Sequence, residues 1–355
     1  MNYGMYVLLI TLLCFGIGAF FIIRHFVNRQ KEEAISDILI ATGTQLTLTC
    51  FGTFNDKLFA FLSDTEAATN YVQLVVGIFL VISGIVFHLY IKNKLYILNI
   101  NGYFDKRIEQ HHHELGLNHF QFKEREIDFI RVYKKGINKL TSKDIIDEIK
   151  EKVATFKAES KDKSRAYTGI APIPFIFVAG KEFSREKFHR YFEYDKFNNI
   201  YYSLTPCNKR KKPYSRLRVS TNIATISSSG IEDVVLVVSI TQQILDSDLS
   251  QFAYPKIHVA VDNPSDNKIK YTNQLDEYTM KIYETIKDLP GHFPDLKRIH
   301  LVYSGQSCLA LEVGKLLDDT RNKEIISYQF ISQNNPVYAW GIVVNGQRKG
   351  AFIKC

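Results

Sequence analysis

Residues 299–317 read IHLVYSGQSCLALEVGKLL and contain the transition that decides the fold. An apolar run ends at a small polar turn, Ser304-Gly305-Gln306-Ser307, and a helical pattern starts at once. In a parallel α/β sheet, ligands bind where a strand ends and the next helix begins. Free backbone N–H groups and the helix dipole favour an anion there, and a glycine permits close approach to the backbone. The turn is therefore predicted to hold a ligand.

The C-terminal half of the chain alternates strand-like and helical patterns. This alternation predicts an α/β domain with a parallel sheet, and continuous apolar strands favour a sheet that is covered on both faces. The predicted strands are 174–180, 232–244, 256–264, 297–305 and 324–331, and the predicted helices are 273–291 and 306–319.

A second polar strand end supplies further candidate ligand-binding residues, which are Ser239, Thr241 and Gln242. We interpret the two strand ends as parts of two related lobes, each of which offers hydrogen-bond donors to a phosphate or a base edge. Tyr303, just before the first turn, is a candidate for stacking on a base or for packing in the core.

The charge of the chain favours anionic partners. The 355 residues carry a formal net charge of +8, which limits the partner and says nothing about the fold. Lys209, Arg210 and Lys211 form a basic loop that is either a solvated loop or a flap over a polyanionic ligand. No basic helix or known module for double-stranded nucleic acid is recognised, so we expect no such partner.

The sequence lacks a recognisable catalytic constellation. Gly305-Gln306-Ser307 resembles the start of a nucleophile elbow, but Leu309 occupies the position of its second glycine, and no histidine follows Ser307. No phosphate-binding loop, dinucleotide-binding motif or zinc-protease motif occurs. The five cysteines are scattered, and consecutive histidines at 111–113 do not converge on one ion in a helix. We therefore expect a binding protein rather than an enzyme, with no metal.

The N-terminal quarter of the chain has the pattern of a membrane region. Two long apolar stretches predict spans near 5–27 and 70–91, each long enough to cross a hydrocarbon core. The weakly apolar stretch 37–54 is a possible third or re-entrant segment. With three crossings, the basic clusters at 24–31 and 92–94 both lie on the cytoplasmic side, whereas with two they lie on opposite sides.

The pattern divides the chain into three regions. Residues 1–95 are predicted to form the transmembrane region, residues 96–160 a helical connector, and residues 161–355 a cytoplasmic α/β head. Within the connector, apolar residues at helical spacing predict an amphipathic helix with Thr141 or Ser142 as its N-cap.

The order of several motifs resembles the SAVED domain, the sensor of cyclic-oligonucleotide-based antiphage (CBASS) systems. The resemblance covers about residues 160–355. The motifs that carry it are YTGIAPIPFIFVAGKEF (167–183), FHRYFEYDKFNNIYYSL (188–204), EDVVLVVSI (232–240), IHVAVD (257–262), RIHLVYSGQSCLALEVGKLL (298–317), EIISYQF (324–330) and the closing NNPVYAWGIVVNGQ (334–347).

This resemblance implies two fused Rossmann-like (CARF-like) lobes that bind a cyclic di- or trinucleotide as activating ligand, made by a partner cyclase of the CD-NTase class. The turn at Ser304, Gly305, Gln306 and Ser307 would then hold the ligand, with Ser239 and Thr241 opposite. No further cofactor is implied.

The resemblance also implies that the ligand drives homo-oligomerisation of the sensor. Membrane spans stand where relatives carry nuclease effectors, so the chain resembles the transmembrane-SAVED effectors. We expect a multi-pass protein of the bacterial inner membrane with its head in the cytoplasm. Clustered spans would contact lipids, disrupt the membrane and cause abortive infection. The alternatives are a membrane-anchored hydrolase or nuclease that acts on a nucleotide, and a membrane scaffold with a ligand-free head.

Overall fold

The fold is taken from a computed structural model that describes residues 13, 16–24, 31–50, 70–184, 186–208 and 214–355. The chain divides into two compact units, Met1–Lys94 and Leu95–Cys355. The first unit contains the helices α1 (Lys31–Thr49) and α2 (Tyr71–Lys92), and residues 16–24 are also helical.

Among the described residues, α2 is the one helix that is long and apolar enough to cross a membrane. The predicted span near 5–27 lies mostly outside the described residues, as does the end of the possible third segment, residues 51–54. Residues 37–49 of this segment belong to α1. A region with several spans is therefore not confirmed, whereas the helix predicted near 70–91 is present.

Glycines let α1 and α2 pack backbone to backbone. A Cβ atom added to Gly77 would lie 2.4 Å from the Thr47 hydroxyl, and one added to Gly43 would lie 2.6 Å from the backbone nitrogen of Val81. The Ser36 hydroxyl donates to the Gly84 carbonyl at 3.0 Å. Small residues at such a contact are typical of helices that pack closely in membranes.

The second unit begins with a five-stranded sheet in the order β2-β1-β3-β4-β5, which we call lobe 1 (residues 95–203). The first four strands are parallel, and β5 pairs antiparallel with β4. The strands are β1 (Leu95–Asn101), β2 (Phe122–Asp128), β3 (Ser164–Ile170), β4 (Arg190–Asp195) and β5 (Ile200–Ser203). The helices are α3 (Ile108–His111), α4 (Ile130–Lys134), α5 (Lys139–Glu159) and α6 (Ile173–Phe183).

The prediction of a helical connector over 96–160 is wrong for its first part, because β1 and β2 are strands of this sheet. The apolar run of β1 is short, and β2 is a charged edge strand, so neither gives a strong strand pattern. The predicted amphipathic helix is present as α5. Its N-cap is Asn138, however, which forms a capping box with Thr141.

A seven-stranded sheet, which we call lobe 2 (residues 214–355), follows in the order β12-β11-β10-β9-β7-β8-β6. The four strands β8, β7, β9 and β10 are parallel, which confirms the predicted parallel sheet, and the outer strands are antiparallel. The strands are β6 (Arg218–Val219), β7 (Asp233–Ser239), β8 (Lys256–Ala260), β9 (Arg298–Ser304), β10 (Glu324–Gln329), β11 (Trp340–Val343) and β12 (Phe352–Lys354), and the helices are α7 (Thr272–His292) and α8 (Ser307–Leu316).

The two lobes repeat one architecture. The strand order β2-β1-β3-β4-β5 in lobe 1 corresponds to β8-β7-β9-β10-β11 in lobe 2, with the same parallel and antiparallel pairings. In both lobes a 21-residue helix, α5 or α7, precedes the third strand, and a shorter helix, α6 or α8, follows it. The second unit is therefore a pair of Rossmann-like lobes, as the resemblance implied, but it begins at Leu95 rather than at residue 161.

Helix α6 corrects a second prediction, because residues 174–180 are helical rather than a strand. This segment is apolar all round because α6 is buried, and periodicity cannot separate a short buried helix from a buried strand. It packs against α8 of the other lobe at two glycines. A Cβ on Gly180 would lie 2.2 Å from the Leu311 carbonyl oxygen, and a Cβ on Gly314 would lie 2.5 Å from that of Phe177.

Candidate functional site

A cavity of about 260 Å³ lies between the lobes, at the carboxyl ends of their parallel strands. Both lobes supply its walls. Lobe 1 contributes residues that follow β1 and β3 and those around the end of β4, and lobe 2 contributes residues that follow β7, β8 and β9. The lining residues are Tyr103, Gly169, Ile170, Ala171, Ile173, Glu193, Tyr194, Lys196, Phe197, Thr241, Asp266, Asn267, Tyr303, Ser304, Gly305, Gln306 and Ser307.

The predicted turn lines this cavity together with Thr241. The hydroxyl groups of Thr241 and Ser304 are 3.0 Å apart, and the Gln242 N–H donates to the Ser304 hydroxyl at 3.1 Å. The two predicted strand ends do meet, but they are neighbours in one sheet, since β7 pairs directly with β9. The interpretation that they belong to opposing lobes is wrong.

Tyr303 belongs to the core and stabilises the turn through its hydroxyl group. Its side chain is 5% exposed, its ring packs edge-on against Phe177 with 5.6 Å between centroids, and its hydroxyl donates to the Gln306 carbonyl at 2.7 Å. A Cβ atom on Gly305 would lie 2.4 Å from that hydroxyl. A side chain at 305 would therefore displace the Tyr303 hydroxyl, and the Tyr303 ring is not presented for stacking on a base.

The N-terminus of α8, predicted to hold an anion, already binds a carboxyl group of the protein itself. The carboxylate of Glu193, on β4 of lobe 1, accepts the Cys308 N–H at 3.0 Å and the Ser307 hydroxyl at 3.4 Å. Burial raises the pKa of Glu193 above its usual value. A ligand phosphate has no free place at these two donors unless Glu193 moves.

Gln306 shapes the wall of the cavity with both ends of its amide group. Its Oε1 accepts the Ile269 N–H at 2.5 Å, and its Nε2 donates to the Ile269 carbonyl at 3.0 Å and to the Tyr202 hydroxyl at 2.9 Å. These bonds hold the segment that precedes α7. The side chain therefore builds the site and is not presented to a ligand.

Of the other predicted site residues, none lines the cavity in the described part of the chain. Ser239 is buried, and its hydroxyl accepts the Ile244 N–H at 3.1 Å. Gln242 is exposed outside the cavity. Lys209, Arg210 and Lys211 lie outside the described residues.

The wall that lobe 1 supplies was not predicted from the sequence. Tyr167-Thr168-Gly169 at the end of β3 repeats Tyr303-Ser304-Gly305 at the end of β9. A Cβ on Gly169 would lie 2.2 Å from the Tyr167 hydroxyl, as at the other turn. This Tyr-x-Gly repeat is the signal that could have identified the second wall from the sequence.

The lobes also exchange the side chains that bind the start of each helix. The Ile173 N–H at the start of α6 donates to Oε1 of Gln329, which lies on β10 of lobe 2, at 3.1 Å. In the same way, Cys308 at the start of α8 donates to Glu193 of lobe 1. Each lobe therefore holds the other at the cavity, one through a neutral amide and the other through a carboxyl group.

The described residues contain no group of three histidine, cysteine or acidic side chains that could hold a metal ion. In the histidine run, the His111 ring contacts Glu114 at 3.0 Å and the His112 ring contacts the Glu109 carbonyl at 2.8 Å. These local contacts explain the positions of the two rings without an ion.

Two repeated Rossmann-like lobes with a shared cavity at their strand ends define a ligand-binding α/β domain. A family model described as "SMODS-associated and fused to various effectors sensor domain" (SAVED) matches residues 149–344. The chain belongs to the SAVED family. The match begins inside α5, so the first two strands of lobe 1 lie before it.

Several solved structures are similar to this chain. The Acinetobacter baumannii Cap4 SAVED/CARF-domain containing receptor with the cyclic trinucleotide 2'3'3'-cAAA is 11% identical, with a TM-score of 0.49, over 86% of this chain and 62% of that chain. The structure of the same receptor with 3'3'3'-cAAA is 11% identical, with a TM-score of 0.46, over 88% of this chain and 61% of that chain.

The Moraxella osloensis Cap4 receptor is also 11% identical, with a TM-score of 0.46, over 83% of this chain and 59% of that chain. The chain thus spans about three-fifths of the length of these receptors. No curated protein matches the chain.

Proposed function

We propose that this chain is a membrane-tethered sensor that binds a cyclic oligonucleotide in the cavity between its lobes. The observation that supports it is the paired arrangement of strand ends, with Gly169 of lobe 1 and Gly305 of lobe 2 on the same cavity. Strand ends of this kind are where α/β sheets bind ligands. Membership of a family of sensor domains agrees with binding rather than catalysis.

The size of the cavity limits how the ligand binds. Pockets that enclose a whole small ligand measure about 300–1,000 Å³, and this one measures about 260 Å³. A cyclic oligonucleotide would insert one base and leave the rest of its ring at the mouth. Such a ligand is then accessible to a second copy of the chain, which is consistent with ligand-driven oligomerisation.

The first unit gives a physical route from binding to a response. Helix α2 exposes a broad apolar surface, including Val75 and Phe79, which are each 67% exposed. A surface of this kind is suited to lipid. If the ligand brings sensors together, each added subunit raises the local concentration of spans in the bilayer. We propose that this clustering disrupts the bacterial inner membrane and causes abortive infection.

The test uses the full-length chain in detergent and in lipid vesicles. Cyclic di- and trinucleotides, including 2'3'3'-cAAA and 3'3'3'-cAAA, are added, with linear trinucleotides as controls. We expect one cyclic ligand to bind, to increase the particle size and to release dye from vesicles. Ligand turnover, measured by chromatography, would instead support the membrane-anchored hydrolase or nuclease. Ligand binding without an increase in particle size and without dye release would contradict only the proposed clustering of the spans.

A cavity-filling variant tests whether the ligand occupies this site. Ile173 lines the cavity and is half-buried, so Ile173→Trp is expected to abolish binding. Ile200 is 41% exposed and does not line the cavity, so Ile200→Trp is the matched control. Equal binding by both variants would place the ligand elsewhere.

A further inference from the structure

The turn between β4 and β5 is built as a fixed arm at the mouth of the cavity. Asp195 Oδ1 accepts the N–H groups of Phe197 and Asn198 at 2.9 and 3.2 Å, and Asn198 Nδ2 donates to Asp195 Oδ2 at 2.7 Å. Asn199 adopts a positive φ of 56°, a conformation that asparagine tolerates. The turn therefore holds its shape without using the side chains of Lys196 and Phe197.

Both of these residues line the cavity. Phe197 is 78% exposed and makes no ring contact among the residues that the structure describes. Lys196 is exposed and has no salt bridge within the same part of the chain. The preceding aromatic residue, Tyr194, is different, because its ring already packs against Tyr201 with 5.1 Å between centroids and lies 5.3 Å from the Lys106 ammonium.

A single exposed phenylalanine needs no explanation by itself. Phe120, for example, is 68% exposed and lies away from the cavity. Phe197 differs because its backbone is fixed, its ring is free, and a cation is its neighbour at the mouth of a polar cavity. An aromatic face beside a basic side chain is the combination that stacks a base and neutralises its phosphate.

We infer that Phe197 stacks on a base of the cyclic ligand at the cavity mouth and that Lys196 binds the adjacent phosphate. The inference rests on the proposed function, since it names the residues that recognise the ligand. Stacking tolerates any base because every base has a π face. The arm therefore contributes affinity, whereas selection among bases is left to the interior of the cavity.

The experiment compares binding of 2'3'3'-cAAA, 3'3'3'-cAAA and the cyclic dinucleotides to full-length variants in detergent. Phe197→Ala is expected to raise Kd about tenfold or more, because loss of one stacked base typically has this effect. Phe120→Ala, the matched control, should leave Kd unchanged. Lys196→Ala should weaken binding and reduce its dependence on salt, and Lys196→Arg should restore both.

A spectroscopic readout separates stacking from a general effect on the fold. The chain has one tryptophan, Trp340, which is 5% exposed. Phe197→Trp adds a second, exposed tryptophan and should keep the wild-type affinity. Its fluorescence should be strongly quenched when the ligand binds, with little change in the wild type.

The outcomes distinguish this inference from the proposed function. If the wild type binds a cyclic ligand and Phe197→Ala binds it within about twofold, the stacking role is wrong and the sensor function stands. If Phe197→Ala binds normally but no longer forms larger particles, Phe197 contacts a second copy, which also overturns the stacking role. If the wild type binds no nucleotide tested, the proposed function fails, and this inference fails with it.

Discussion

The turns at the ends of β3 and β9 have the same design but different chemistry. Both place a glycine over a buried tyrosine, in Tyr167-Thr168-Gly169 and Tyr303-Ser304-Gly305. In lobe 1 the next helix starts at Ile173 after the N-cap residue Pro172, and the Ile173 N–H donates to a neutral amide, that of Gln329. In lobe 2 the corresponding acceptor is the carboxyl group of Glu193. The repeat preserves the shape of the cavity, while the side chains around it make the two halves chemically different.

This difference bears on how the site binds an anion. A helix N-terminus is a general anion site, and the sequence of α8 alone predicts one. In the folded protein Glu193 occupies that position, so the phosphate groups of a ligand must find donors elsewhere. Lys196 at the mouth is the basic side chain among the described lining residues. We therefore propose that a bound nucleotide places its base inside the cavity and its phosphates outside.

The largest expected loss of stability comes from substitutions at the contact between α6 of lobe 1 and α8 of lobe 2. Gly314→Ala and Gly180→Ala each place a methyl group within 2.5 Å of a backbone carbonyl oxygen. Each is expected to cost about 3 kcal/mol, or about 6–12 °C in Tm. The fluorescence of Trp340 reports the change, since its ring lies 5.7 Å from that of Phe175 on α6.

A glycine in open space provides the control for these two variants. Gly291 lies near the end of α7, and a Cβ added there would meet nothing within 4 Å. Gly291→Ala should change the stability by no more than about 1 kcal/mol, in the stabilising direction. If Gly314→Ala behaved like this control, the close crossing of α6 and α8 would be wrong.

A smaller loss of stability is expected when either cavity glycine, Gly169 or Gly305, is replaced by alanine, and the two losses should differ. Tyr303 cannot swing away from an added methyl group because its hydroxyl is bound to the Gln306 carbonyl. The Tyr167 hydroxyl has no hydrogen-bond partner in the described part of the chain, so that ring can shift more easily. We expect a cost of about 2 kcal/mol for Gly305→Ala and about 1 kcal/mol for Gly169→Ala. Thermal unfolding in detergent measures both, and the reverse order would contradict this explanation.

The smallest expected effect is a pH dependence of the stability, which comes from the carboxyl group of Glu193. Burial raises the pKa of Glu193, so the unfolded chain loses this proton near the usual value of 4.5 and the folded chain keeps it to a higher pH. The contribution of Glu193 to the free energy of unfolding is fully present below pH 4.5 and is lost as pH rises through the pKa of the folded state. Glu193→Gln should remove this dependence. The difference in Tm between Glu193→Gln and wild type should therefore become more positive from pH 4 to pH 8.

The converse substitution, Gln329→Glu, tests the same difference between the two lobes. Gln329 is 8% exposed and accepts the Ile173 N–H in lobe 1. Gln329→Glu places a second buried carboxyl group on the corresponding strand of the other lobe, and its destabilisation should be greater at pH 8 than at pH 4. A loss of stability that is the same at all pH values would show that shape, rather than ionisation, governs these two positions.

The parts of the fold that could be predicted are those with strong local patterns. The apolar run of β7 and the strand, turn and helix at 299–317 identified the parallel sheet of lobe 2, and 273–291 identified α7. The strands β1 and β2 were not predicted because asparagines interrupt the apolar run of β1 and because β2 is charged. Helix α6 was read as a strand because its burial between the lobes removes the helical periodicity.

The site could be predicted only where it is local in sequence. Ser304, Gly305 and Thr241 were found because they follow strands, and the structure places them at the cavity. The role of Glu193 could not be found in this way, since it lies 115 residues before Cys308, and only the pairing of the lobes brings them together. The basic loop around Lys209 stays a prediction, because it lies outside the described residues.

The central claim is that both lobes bind one ligand, and hydrogen–deuterium exchange of the full-length chain tests it most directly. The rates are compared with and without a cyclic trinucleotide that binds. We expect slower exchange in three segments together, namely 167–173, 195–199 and 303–308. Protection confined to one lobe, or located away from all three segments, would contradict a shared site between the lobes.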